Sequence, residues 1–262
     1  MTSRTDDTPI LPTINTVTAD DIKAALRAGF SDFRARPIMS GFFGLFYALF
    51  GIALVYSLIQ LGHIWLVIPA LVAFPLVAPF ACAGLYEMSR RLQEGEAFTW
   101  SDILGVMARQ RQREMGWMAF VTLFILWVWF YQFRTVLVIV LQNAAFSDLD
   151  GFLQIVFTTP EGWTFLAIGT CVGALLSAVL FSVTVVSMPL LMDREVDFVS
   201  AMILSVRVVA ENPAVMLGWA AVITVTVVLS LLPAFLGLIF TLPILGHTTW
   251  HLYQRAVTPP EM

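Results

Sequence analysis

The chain has three histidines in 262 residues, and two of them, His247 and His251, lie four residues apart in TLPILGHTTWHLYQR, residues 241–255. On a helix that spacing puts both imidazoles on one face. Two imidazole nitrogens are half of a transition-metal ligand set, and carboxylates can complete it. Glu87, Asp193 and Asp197 come to matching depth when the internal repeats described below are aligned. His247 then stands against Ala83 and Asp193, and His251 against Glu87 and Asp197. A metal centre of His247, His251, Glu87, Asp193 and Asp197 at one mouth of a helix bundle is one reading. The other is plainer: polar residues belong at helix ends, histidine complements the dipole of a last helical turn, and Asp197 starts a helix. The residue types leave both open, with a pH-sensitive polar lock between helices as the metal-free form.

No other chemistry is signalled. There is no Gly-rich phosphate loop, Cys-x-x-Cys pair, His-Glu-x-x-His or Ser-centred elbow. No catalytic residue and no cofactor are therefore expected. Cys82 and Cys171 both sit in apolar runs and read as small buried residues.

The elements that must position these groups are membrane helices. Hydrophobic residues make up 59% of the chain and charged residues 12%, about half the charged share of a soluble domain. Six stretches approach the roughly 20 apolar residues that cross the hydrocarbon: 40–61, 64–85, 115–134, 163–188, 214–232 and 234–253. Tight turns at Gly62-His63 and Pro233 pair the first with the second and the fifth with the sixth.

Lys23, Arg27, Arg34, Arg36, Arg90, Arg91, Arg109, Arg111, Arg113, Arg194, Arg207 and Arg255 all fall on one side, which the positive-inside rule makes cytoplasmic. The other side carries Asp148, Asp150 and Glu161. Arg134 reaches the outer interface, where it snorkels or meets those acids. The expected location is the bacterial inner membrane, multi-pass, with both termini cytoplasmic. Residues 135–159 read as an extracytoplasmic cap or as shallow re-entrant pieces.

Three cytoplasmic stretches look alike: DIKAALRAGFSDF from Asp21, DILGVMARQRQRE from Asp102 and DFVSAMILSVRVV from Asp197. In the first and third, apolar or small residues share the same helical offsets: Ile22, Ala25, Leu26, Gly29, Phe30, Phe33 and Phe198, Ala201, Met202, Ser205, Val206, Val209. Thr18 and Thr99 stand three residues before Asp21 and Asp102, a capping-box start. Arg36-Pro37 and Asn212-Pro213 end two of the three helices.

Pro79, Pro189 and Pro243 mark the even spans, and aligning them sets Tyr86 against Trp250 in an interfacial aromatic belt. The predicted fold is all-α: a polytopic membrane protein of six transmembrane helices as three hairpins, each preceded by an amphipathic interfacial helix, in a pseudo-threefold repeat. Residues 1–17 are a disordered cytoplasmic tail. Residues 18–257 form one domain, in units of about 18–95, 96–192 and 193–257, and 258–262 form a short tail. Two small-residue stripes, Ser40, Gly44, Ala48 and Gly169, Gly173, Ser177, are expected to let helices pack closely. On that reading Gly173→Leu damages the fold more than Gly95→Leu.

The stretches PFACAGLYEMSRR (79–91), VVSMPLLMDREVDFVSAM (185–202), VRVVAENPAVMLGWAAVI (206–223) and LGHTTWHLYQR (245–255) resemble an uncharacterised family of bacterial integral membrane proteins, a domain of unknown function. The likeness covers roughly residues 20–257, and it brings no catalytic residues. Some members of that family carry the label cytochrome c oxidase subunit I. Three histidines cannot supply that subunit's haem and copper ligands, although an accessory or assembly role beside a respiratory complex fits the likeness.

The resulting expectation is a non-enzymatic accessory or scaffold protein of a membrane complex, with the lipid bilayer as its solvent and no nucleic-acid partner. A carrier of a lipid or small apolar metabolite, and a metal-binding membrane protein, are the alternatives.

Overall fold

The computed structural model describes residues 12–60, 78–111, 115–141 and 149–258. The helices are α1 (Ala19–Ala35), α2 (Pro37–Gln60), α3 (Ala78–Glu94), α4 (Trp100–Arg111), α5 (Met115–Val140), α6 (Leu149–Thr158), α7 (Pro160–Thr184), α8 (Ser187–Asp193), α9 (Phe198–Glu211), α10 (Pro213–Leu231) and α11 (Leu238–Ala256). Two short strands, β1 (Thr13–Ile14) and β2 (Val257–Thr258), pair antiparallel. Most of the second expected span, with the Gly62-His63 turn, Pro69 and Pro75, lies outside the described residues, as do Arg113 and Asp148.

Four stretches among the described residues are long and apolar enough to cross a membrane: Pro37–Gln60, Gly116–Val140, Pro160–Asp193 and Pro213–Leu231. They coincide with the first, third, fourth and fifth expected spans. α11, expected as the sixth, is not among them. Its last turns carry His247, Thr248, Thr249, His251, Gln254 and Arg255, too polar to face lipid. The chain encloses it instead. Every residue from Leu242 to Tyr253 except Ile244 is buried, with α1, α2, α3, α8 and α10 packed around it.

Close backbone approach makes this enclosure. A methyl group added at Gly29 of α1 would lie 2.6 Å from the Thr248 nitrogen. One at Gly44 of α2 would lie 2.6 Å from the Ile239 Cα, and one at Gly246 of α11 would lie 2.7 Å from Leu85 Cδ1 of α3. The stripe of Ser40, Gly44 and Ala48 lies in this close contact, all three residues buried.

The second stripe does not. A methyl group at Gly169 would meet nothing within 4 Å, one at Gly173 only Trp129 Nε1 at an ordinary 3.6 Å, and Ser177 is half-buried. Small residues permit a close crossing but do not create one, and no backbone approaches α7 on that face.

The turn from α10 into α11 is held by a plug. Ala234 and Phe235 have φ of 50° and 67°, a left-handed conformation costly for side chains other than glycine. Phe235 is buried, and its ring fills the slot left by Gly51, where an added methyl group would come within 2.6 Å of it.

The starts of α1 and α4 follow the sequence reading. Thr18 and Asp21 cap α1 reciprocally, and Thr99 makes two 2.7 Å hydrogen bonds to Asp102 at the head of α4. The hydrogen bonds from Thr18 hold the Asp21 carboxyl below its usual range. Equivalent residues share environments, with Ala25, Gly29, Ala201 and Ser205 buried and Phe30 and Val206 exposed. The breaks that follow also match: Arg36 has φ −139° and ψ 57°, and Asn212 has φ −128° and ψ 49°. α1 turns its small face to α11 rather than to the membrane plane.

Three further expectations need correction. The tail read as disordered through Val17 is ordered from at least Thr13. β1 pairs with β2, Asn15 Nδ2 donates to Arg255 O at 2.9 Å, and Val17 N donates to Asn212 Oδ1 at 2.7 Å. That strap gives the polar backbone partners at both ends of the chain.

Second, Tyr86 and Trp250 form no interfacial belt. Both are buried, and their rings stack on each other with centroids 6.2 Å apart. Third, the third span does not end at Arg134, where 135–159 is expected to leave it. α5 runs through exposed Arg134 to Val140. α6 folds back on α7, with Phe152, Val156 and Phe165 forming a separate apolar cluster with Val136 and Leu141. Gly162 permits that hairpin, since a methyl group there would lie 2.6 Å from Val156 Cα.

Candidate functional site

α3 and α11 run side by side in the same direction, with Leu85 against Gly246 and Tyr86 against Trp250. Each carries a polar pair four residues apart on the shared face: Ser89 and Gln93 on α3, His247 and His251 on α11. Asp32 from α1 and Ser40 from α2 close on the same spot. Ser40, Ser89 and His247 have no exposed surface, and His251 has 8%.

One hydrogen-bonded chain connects them. Ser40 Oγ lies 3.0 Å from His247 Nε2, and His247 Nδ1 lies 2.7 Å from Ser89 Oγ. Ser89 Oγ donates to Asp32 Oδ2 at 2.7 Å, and His251 Nε2 lies 2.8 Å from the same oxygen. Gln93 Nε2 lies 3.1 Å from His251 Nδ1 and donates to Gln254 Oε1 at 2.7 Å. Trp250 Nε1 donates to Gln93 Oε1 at 2.9 Å.

The donors fix the direction of this chain. Indole N–H can only donate, so the Gln93 oxygen must face Trp250 and its amide nitrogen must face His251. His251 Nδ1 therefore accepts, and its proton sits on Nε2, directed at Asp32. The single Ser89 hydroxyl proton goes to Asp32, so His247 must donate from Nδ1 to Ser89. Its Nε2 is then the acceptor for the Ser40 hydroxyl. Both imidazoles are neutral in this pattern, and both arms of the network end on the Asp32 carboxylate. The structure joins α1, α2, α3 and α11 through one acceptor.

The carboxylates paired with the histidines from the repeat alignment are elsewhere. Glu87, 3% exposed, accepts from Arg90 Nη2 at 2.8 Å and also from Arg91. Burial alone would raise its carboxyl, but the two guanidinium groups prevail and hold it below the usual range. Asp193 accepts from the Tyr253 hydroxyl at 2.7 Å. Asp197 caps α9 by accepting from Ser200 N at 2.9 Å, and hydrogen bonds from the Ser200 side chain and backbone hold its carboxyl low.

The five-residue metal set is thus not assembled, and no group of three or more metal-ligating side chains occurs among the described residues. The physical reason is competition: each of the three acids already has a cationic, hydroxyl or backbone donor nearer than the imidazoles.

Asp32, Ser89 and Gln93 are the residues that sequence reasoning missed. Signals existed for all three. Asp32 stands three residues after Gly29 and seven after Ala25, on the buried face of α1. Ser89 and Gln93 repeat on α3 the spacing of the histidines on α11.

Long apolar helices arranged about an enclosed polar centre define an integral membrane protein of the all-α class. The family described as "Predicted integral membrane protein (DUF2189)", a domain of unknown function, matches residues 67–193. The matched stretch contains Ser89 and Gln93, whereas Asp32, Ser40, His247 and His251 lie outside it. No curated protein and no solved structure matches the chain.

Proposed function

We propose that the protein is a non-enzymatic accessory or scaffold subunit of a membrane complex in the bacterial inner membrane. The observation that carries this is the uneven burial of its helices. In the most apolar window of α2, 28% of residues are buried inside the chain, but only 11% in that of α5 and 6% in that of α7 with α8. Trp127 and Leu175 are 57% and 65% exposed. The α5–α7 pair presents wide apolar faces beside a closed centre whose polar groups all bond one another, which suits a protein that works through helix contacts. A respiratory complex is one partner of this kind.

Six spans with both termini cytoplasmic complete the proposal, with α11 as an enclosed sixth. Arg90, Arg91, Arg194 and Arg255 cluster at the end of the molecule that holds the network, while Asp150 and Glu161 lie at the other, as the positive-inside rule asks. The shared burial pattern and matching breaks of α1–α2 and α9–α10 support the repeat for its first and third units.

Photo-cross-linking from positions 127 and 175 in native membranes tests the scaffold role. One reproducible protein adduct at either position is the expected result. Adducts with lipid alone at both would overturn it. A C-terminal reporter active only in the periplasm would overturn the topology.

A further inference from the structure

We propose that His251, Gln93 and Trp250 form a proton-operated latch between α11 and α3. The amide of Gln93 is the pivot. Its oxygen is committed to Trp250 Nε1 at 2.9 Å and its nitrogen to His251 Nδ1 at 3.1 Å. If His251 takes up a proton, Nδ1 becomes a donor and faces the Gln93 amide nitrogen, which is also a donor. Turning the amide over satisfies His251 but aims the nitrogen at the indole N–H of Trp250, a residue with no exposed surface. Either way one buried donor loses its acceptor, which is costly. On the far side of the ring nothing has to move. Nε2 already donates to Asp32 at 2.8 Å, and added positive charge strengthens that bond. Proton uptake therefore tightens α11 on α1 and loosens it from α3.

The charged groups around the latch come from the helices that pack on α11. α1 contributes Asp32, together with Asp21, which is paired with Arg255. α3 contributes Glu87, which is neutralised by Arg90 and Arg91. α8 contributes Asp193, bonded to Tyr253 and Arg194. α11 itself adds His247 one turn before His251, and α2 carries no Asp, Glu, Lys or Arg. None of these groups hydrogen-bonds Nδ1, and the Gln254 oxygen is already committed to Gln93 Nε2 at 2.7 Å. His251 and Asp32 keep 9% and 13% of their side-chain surface exposed, which gives protons a route from the aqueous side.

The test uses full-length protein in lipid nanodiscs, followed by hydrogen exchange corrected for intrinsic rates. Conditions run from about pH 8 to about pH 5, the window in which histidine changes charge. In the wild type, backbone amides of 88–94 and 249–256 should lose protection on acidification, and the indole N–H of Trp250 should begin to exchange. Gln93→Glu offers an acceptor to both rings and should keep these segments protected. Trp250→Phe removes the competing donor, frees the amide to turn, and should also flatten the pH response. Equal loss of protection in the wild type and both variants would overturn the latch. So would a wild-type Trp250 indole that stays protected throughout, a reading that needs no variant to fold.

Discussion

The inner half of α2 and the middle of α7 carry the same kind of stripe, small residues every four positions, yet an added methyl group would meet different things in each. At Gly44 it would lie 2.6 Å from the backbone of α11, and at Gly169 it would meet open space. α2 is drawn in because α11 is polar and must be covered. α7 contains no Asp, Glu, Lys or Arg after Glu161, and nothing within the chain comes close to its small-residue face at Gly169. Helix association in a membrane has no hydrophobic drive of its own, so a polar partner decides which small-residue face becomes an interface.

The largest effect that would break this comparison is Gly44→Leu. The nearest atoms are backbone and cannot move aside, so a loss of about 3 kcal/mol, near the upper end for overpacking, is expected. Failure to accumulate in the membrane would be its sign, and a normal thermal midpoint in detergent would show that α2 and α11 do not meet.

Next comes Ser89→Ala. It removes one acceptor from His247 Nδ1 and one donor from Asp32, and weakening buried polar pairs in this way costs about 2 kcal/mol. A denaturation midpoint equal to wild type would mean that the network contributes nothing to holding α11.

A smaller change comes at the head of α1. Thr18→Ala removes the cap and should cost about 1 kcal/mol. Its pH dependence has a definite sign. Asp21 is held below its unfolded value, so its contribution is complete above the ordinary carboxylate range and is lost as pH falls from that range through the lowered folded value. The gap between variant and wild type in a melting series should therefore close in acid.

The smallest effects sharpen the comparison from the other side. Gly169→Leu should change stability by less than about 0.5 kcal/mol. Gly95→Leu, in a turn with φ of 68°, should cost about 1 kcal/mol. That order reverses the one expected from the stripe alone, because backbone conformation rather than crowding sets the cost at Gly95. A larger loss at Gly169 than at Gly95 in paired thermal melts would place a partner on α7 that the single chain does not contain.

Much of the frame was legible residue by residue. Thr18 with Asp21, and Thr99 with Asp102, announced helix starts because a capping box is local. The offsets of Ala25, Gly29, Ala201 and Ser205 announced buried faces because helical period is local. Apolar length announced the spans of α2, α5, α7 and α10. The site was legible only in part. His247 and His251 share a face, as their spacing implied, but the partners assigned to them were misplaced. The repeat alignment ranked Glu87 and Asp193 by depth, whereas their hydrogen bonds run to Arg90, Arg91 and Tyr253.

By itself, then, the sequence determined an all-helical integral membrane protein, the starts of several helices and the shared face of its two histidines. These follow from periodicity, capping and hydropathy, which act over a turn or two of chain. Only the tertiary structure decided that α11 is enclosed, that Asp32 is the common acceptor, and that one small-residue stripe packs while the other does not. Each of those depends on which donor lies nearest in space among residues up to 219 positions apart, and no local rule carries that information.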